Sequence, residues 1–192
     1  MIELKDGMLL YHGSYTGISR IDLDKCTRGL DFGKGFYLTS SFEQAYAYVP
    51  LSVKKAVRIG VIPENFNLED GQISVYRFHY DPNLLIHSFL SANPEWLHFV
   101  SANRNSSLFP ELLKKYQTTD IIVGKIADDR TAWTLQQYIG GYFGTPGQPD
   151  TDKDAIERLL PNRLQDQFCF RTEDAVKSLE FIRSDRYGDI KR

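Results

Sequence analysis

Apolar residues in this chain come in short bursts. The longest unbroken run, residues 45–49, is five long, against the roughly 20 needed to cross a bilayer. Elsewhere the bursts are cut by glycine, proline or charge, a pattern that builds many short elements and no membrane span. At 192 residues the chain is expected to form one domain over 1–192 with a core of about 9–182, burying roughly 70% of the unfolded surface. Its 42% hydrophobic and 13% aromatic content is more than a disordered chain carries.

Charge and cysteine content narrow the function classes. Lys and Arg total 23 and Asp and Glu 25, a net of −2, so no general electrostatic grip on nucleic acid is expected. Cys26 and Cys169 are too few for a disulfide framework and have no partners at metal-ligand spacing. His79, His87 and His98 show no convergent spacing with acids, so no metal site is expected. Residues 1–7 contain acids and no apolar stretch, which reads as no secretory signal and a cytoplasmic protein.

Along the chain, strands are expected at 9–12, 36–39, 55–62, 73–79, 120–124 and 167–171. Helices are expected at 44–49 (stopped by Pro50), 82–102 with a break near Pro94, 107–116, 131–139, 152–160 and 173–182. Residues 140–149, rich in glycine and carrying Tyr142 and Phe143, form a loop. Trp96 and Trp133 read as core, as does Cys169 between two phenylalanines. Short strands mixed with helices make an α+β fold.

Two segments carry candidate chemistry. Tyr11-His12-Gly13-Ser14 sets a histidine at a strand end beside a glycine, as a structural hydrogen-bonding group or a ligand contact. Asp31-Phe32-Gly33-Lys34-Gly35-Phe36-Tyr37-Leu38-Thr39 couples two glycines to an aromatic strand. Glycine allows close backbone approach to a ligand, and Tyr37 offers a stacking ring; a tight turn with a core tyrosine is the plainer reading. Gly33-x-Gly35 lacks the third glycine of a dinucleotide fingerprint, and a strand follows where that motif opens a helix. Ala127-Asp128-Asp129-Arg130 reads as a helix cap or as an acceptor-positioning pair.

Taken together, the two segments and the following Gln44-Ala45-Tyr46 resemble the His–Tyr half of ADP-ribosyltransferases of the diphtheria-toxin and poly(ADP-ribose)-polymerase lineage. More closely, Asp31–Tyr37, Asp120-Ile121-Ile122-Val123-Gly124 with Ala127-Asp128-Asp129, and Gln167-Phe168-Cys169-Phe170 resemble a bacterial family catalogued as domain of unknown function 3990. The likeness covers nearly all of 9–182.

The resemblance implies an ADP-ribosyltransferase-like split β-sandwich with flanking helices, clamping NAD as co-substrate in an open cleft. It implies that His12 bonds a ribose hydroxyl, the Gly13 backbone meets the nicotinamide amide and Tyr37 stacks on the nicotinamide. Gly35, Thr39 and Ser40 would lie close by, and Arg28 and Lys34 would either meet the phosphates or be solvated. The third catalytic position falls on Gln167, where many active relatives carry glutamate; Asp166 and Glu173 keep that assignment open. Glutamine can hold a hydroxyl but supplies neither full charge nor a base, so slow transfer, or a nucleophile needing little activation, is expected. The implied function is mono-ADP-ribosyl transfer to an unidentified acceptor by a toxin-type effector, with a small antitoxin-like protein as partner. Its rivals are a non-catalytic NAD or ADP-ribose binding module, an NAD glycohydrolase and a protein-interaction domain.

Overall fold

Proline in a helix interior removes a hydrogen bond and costs about 3 kcal/mol, yet α1 (Phe42–Arg58) runs through Pro50. Its buried positions Ala45, Val49 and Ala56 form a stripe at helical spacing, and that burial outweighs the proline. The expected stop at Pro50 and the expected strand at 55–62 are therefore both corrected. The helix ends instead at Arg58, and Gly60 just beyond it, with a φ of +72°, closes the terminus. Gly60 N–H donates to Val57 O at 2.9 Å and Val61 N–H to Ala56 O at 2.9 Å, a Schellman arrangement.

The computed structural model describes residues 3–125, 129–159 and 165–190. The other elements are β1 (Leu9–Ser14), β2 (Phe36–Leu38), β3 (Gln72–Phe78), β4 (Ile86–Ser88), α2 (Pro94–Arg104), α3 (Pro110–Lys115), β5 (Ile121–Lys125), α4 (Asp129–Ile139), α5 (Pro149–Arg158), β6 (Asp166–Phe170), α6 (Glu173–Lys177) and β7 (Leu179–Arg186). The fold is α+β with two sheets. Among the described residues no helix is long and apolar enough to cross a membrane.

The chain forms two compact units, each assembled from separated segments. The first takes Met1–Glu3, Leu23–Phe36 and Pro82–Ala175; the second takes Leu4–Asp22, Tyr37–Asp81 and Val176–Arg192.

In the second unit, β3 is the centre of an antiparallel sheet ordered β1-β3-β7. His12 sits opposite Ser74 and Gly13 opposite Ile73. Helix α1 lies on this sheet, with Ala45 and Val49 packed on Ile73 and ringed by Tyr11, Phe42, Tyr46 and Tyr187. The stretch 179–182, expected as helix, is the start of β7. Register passes from Val75↔Arg183 to Tyr76↔Phe181, so Ile182 is an extra residue, a bulge that breaks the alternation a strand would show. Across the ladder Glu180 accepts from Arg77 at 3.1 Å and bonds His79 Nε2 at 2.9 Å.

The other sheet is ordered β2-β6-β5-β4, and its strands β6, β5 and β4 lie in the first unit. The helix expected across 82–102 is corrected to strand plus helix. Strand β5, buried from Ile121 to Gly124, takes Ile86–Ser88 as its parallel neighbour, Ile86 opposite Ile121. Pro94 then occupies the first helical turn, where its missing N–H costs nothing, and Asn93 caps the helix by accepting from Trp96 N–H at 2.8 Å. Phe32, Phe89 and Phe99 stack at centroid spacings of 5.5–6.2 Å, with Tyr116 edge-on to Phe89 and Phe99. Trp96 and Cys169 are fully buried. Trp133, expected in the core, is 65% exposed. The inward stripe of α4 is Thr131, Leu135 and Tyr138, which turns position 133 outward.

Candidate functional site

The second unit builds its candidate site where β1 meets the residues after β2. Tyr11 and Thr39 exchange both backbone bonds, Tyr11 N–H to Thr39 O at 2.8 Å and Thr39 N–H to Tyr11 O at 3.0 Å, in an isolated antiparallel bridge. In an antiparallel ladder alternate residues bond to opposite sides. Gly13, two residues beyond Tyr11, therefore turns its N–H and C=O toward the same side as Tyr11. A continued ladder would pair Gly13 with Tyr37. Instead the His12 ring reaches across, and Nδ1 lies 2.8 Å from Tyr37 O.

That contact fixes the histidine's chemistry. A carbonyl only accepts, so Nδ1 carries the proton and, in the neutral ring, Nε2 is an acceptor. Burial pushes the imidazole below its ordinary value of 6.5, and the bond to Tyr37 O partly offsets this. The ring is thus neutral at pH 7.

A pH dependence follows. The unfolded chain takes up this proton near pH 6.5 and the folded chain only at lower pH, so stability is full above about 6.5 and falls with pH until the folded value is passed. Between pH 7 and 5 the wild-type urea midpoint should fall further than that of His12→Asn. Parallel midpoints would show that His12 does not titrate as its burial requires.

Period-2 alternation orients Tyr37. Phe36 and Leu38 are 5% and 2% exposed, while Tyr37 is half-buried on the opposite face of β2. Thr39 has a structural task. Its hydroxyl donates to Gln44 Oε1 at 2.6 Å and accepts from Ser41 N–H at 3.1 Å. Ser41 caps α1 by accepting from Gln44 N–H at 3.1 Å. Ser40, between them, is half-buried. His12, Gly13, Tyr37, Thr39 and Ser40 thus belong to the second unit.

The first unit holds Gly35 and Gln167. A Cβ on Gly35 would stand 2.5 Å from Cys169 Sγ and 2.8 Å from Phe170 O, so its missing side chain makes room for β6. Gln167 is buried, and its amide nitrogen donates to Asp31 Oδ2 at 3.1 Å and, more weakly, to Lys125 O at 3.4 Å. Asp31 is itself buried, its Oδ1 accepting from Arg104 Nε at 3.0 Å and from a second guanidinium nitrogen at 2.5 Å. Neighbouring Asp166 is ion-paired with Lys125 at 3.0 Å, and Glu173 is exposed in the first turn of α6. Lys34 meets Asp24 at 3.1 Å on the surface, and Arg28 is exposed. Ala127 and Asp128 lie outside the described residues.

Two polar clusters of the first unit carried no sequence signal. Asp31 stands 136 positions from Gln167 and 73 from Arg104, beyond any local spacing. His98 Nε2 lies 2.6 Å from Asp152 Oδ2, and Asp152 Oδ1 accepts from Tyr138 OH at 2.5 Å and Gly147 N–H at 3.0 Å. Burial and the adjacent carboxylate push the Tyr138 phenol well above its ordinary range. These bonds pin one end of the 140–149 loop to α4 and α5.

Comparison with known proteins places the chain beside one family. A family model described as a protein of unknown function (DUF3990) matches residues 8–181. No curated protein and no solved structure matches the chain.

Proposed function

Because the chain belongs to the DUF3990 family, we propose that it is an NAD-dependent mono-ADP-ribosyltransferase with an ADP-ribosyltransferase-like split β-sandwich fold. The observation that carries this reading is the strand gap of the second unit. There His12 takes the carbonyl of Tyr37 through Nδ1, Gly13 turns its main-chain groups toward the same gap, and the Tyr37 ring is half-buried.

Each part has a partner on the nicotinamide riboside end of NAD. The Gly13 N–H and C=O match the carbonyl and amine of a carboxamide. An aromatic face attracts a cationic pyridinium ring laid over it, as the Tyr37 ring would. Neutral His12 accepts from a ribose hydroxyl through Nε2. The same reading gives Gln167 a hydroxyl of the reacting ribose to hold, an assignment tested by substitution.

The reaction breaks the bond between ribose C1′ and the pyridinium nitrogen. The electron pair leaves with neutral nicotinamide, and C1′ takes on oxocarbenium character. The acceptor's lone pair then bonds C1′, and its proton passes to solvent or a base. Holding the riboside end fixes the bond to be broken.

The second reading, an NAD or ADP-ribose binding module, is favoured by one observation: position 167 bears an amide whose nitrogen is already engaged by Asp31. The two readings separate in a nicotinamide-release assay on purified protein with NAD, with and without cell lysate. Release that requires lysate is the expected result for a transferase. Release in buffer alone indicates an NAD glycohydrolase. A thermal shift with NAD but no release gives the binding module, since saturation at 100 times Kd adds about 2.7 kcal/mol of stability. Neither shift nor release overturns both readings and leaves an interaction domain.

A further inference from the structure

We propose that Asp31 and Gln167 act as one unit in which Asp31 holds the negative charge and Gln167 presents an amide oxygen, making Asp31 a positioning residue for ADP-ribosyl transfer. This rests on the reading above for its chemistry, and on the first unit alone for its geometry.

The orientation of the Gln167 amide is decided by its neighbours. One amide atom lies 3.1 Å from Asp31 Oδ2 and 3.4 Å from Lys125 O. Both neighbours are acceptors, so that atom is nitrogen, and Oε1 is directed away from Asp31 as an acceptor. Asp31 in turn is held by Arg104, which donates to Oδ1 through two nitrogens at 3.0 and 2.5 Å, while Oδ2 accepts from Gln167. An amide that donates to a carboxylate is polarised, and its oxygen gains electron density. The charge that a carboxylate at 167 would carry is therefore present one hydrogen bond away, at position 31.

The same geometry makes a specific statement about Gln167→Glu. Glutamate there would put two carboxylates about 3 Å apart in a buried setting, and such a pair holds one proton between them rather than ionising twice. Gln167→Glu alone supplies no free charge. Asp31→Asn with Gln167→Glu restores one carboxylate and one amide in the same space. The introduced asparagine would accept from Arg104 and donate to the introduced glutamate.

The test is this exchange cycle: wild type, Asp31→Asn, Gln167→Glu and the double variant. Each is measured for nicotinamide release from NAD with lysate as acceptor source, and for urea midpoint at pH 5 and 8. Gln167→Glu should lower the midpoint more at pH 8 than at pH 5, because the shared proton is retained in acid. Its kcat profile should show an ionisation near neutral pH that the wild type lacks. Asp31→Asn should lower kcat about tenfold or more through loss of charge, with the KM for NAD within about twofold of wild type. The double variant should recover both midpoint and kcat to near wild type. The proposal is overturned if Gln167→Glu is as stable at pH 8 as wild type, if Asp31→Asn leaves kcat unchanged, or if the double variant is no better than the worse single. Should wild type release no nicotinamide, the transferase reading fails and the positioning role falls with it. The midpoints then decide the pairing separately, and additive effects at 31 and 167 would reject it.

Discussion

Gly13→Ala is expected to cost the second unit about 3 kcal/mol or more, at the upper end of overpacking penalties. A Cβ at position 13 would stand 1.9 Å from Ala45 O, 2.9 Å from Ala45 C and 3.3 Å from Val49 Cγ2. The obstacle is α1 backbone, so no side chain can rotate out of the way. Only lifting α1 from β1 relieves the contact, and that opens the Ala45, Val49 and Ile73 cluster. Hydrogen exchange at β1 and α1 is the appropriate measurement. Both tryptophans, Trp96 and Trp133, belong to the first unit, so indole fluorescence is a poor monitor of the damage. Unchanged protection across β1 and α1 would show that the helix is not seated on Gly13. Lost activity in this variant would report a lost fold, so the main-chain groups of Gly13 are better tested through the side chains beside them.

Much of the second unit's candidate site was legible because its signals are local. A histidine next to a glycine at a strand end, and an aromatic triplet after a glycine pair, each lie within a few residues, and alternation alone turns Tyr37 away from Phe36 and Leu38. The strands β1, β3, β5 and β6 were legible for the same reason. Tertiary burial decided the rest. Pro50 reads as a stop until the stripe of Ala45, Val49 and Ala56 has a sheet to lie on. Residues 86–88 read as helix until β5 offers a parallel partner, and the bulge at Ile182 hides β7. Trp133 reads as core because large aromatics usually are, but the polar Thr131 occupies the inward position instead. Asp31 lies in the turn ahead of β2, Arg104 at the end of α2 and Gln167 on β6, and only the fold shows that they share hydrogen bonds.

Tyr37→Ala should weaken NAD binding about five- to 150-fold, the range of the 1–3 kcal/mol carried by one stacked aromatic contact, and nicotinamide release at subsaturating NAD should fall at least as far. Tyr37→Phe should stay within about threefold of wild type, because the stacking contact uses the ring and not the hydroxyl. The substitution is a clean probe for a structural reason. His12 bonds the main-chain oxygen of Tyr37, which alanine keeps, so the histidine's position and protonation survive removal of the ring. The burial of β2 rests on Phe36 and Leu38, so the strand survives as well. A matching His12→Ala variant removes the Nε2 acceptor and leaves the ring, and the two losses should combine to more than either alone. Thermal shift with NAD separates binding from turnover. A binding module loses its shift in Tyr37→Ala and shows no release in any variant, whereas a transferase loses both together. If Tyr37→Ala binds and cleaves NAD as wild type does, the strand gap at His12 and Tyr37 is not the donor site, and the assignment of this half of the molecule to nicotinamide riboside is wrong.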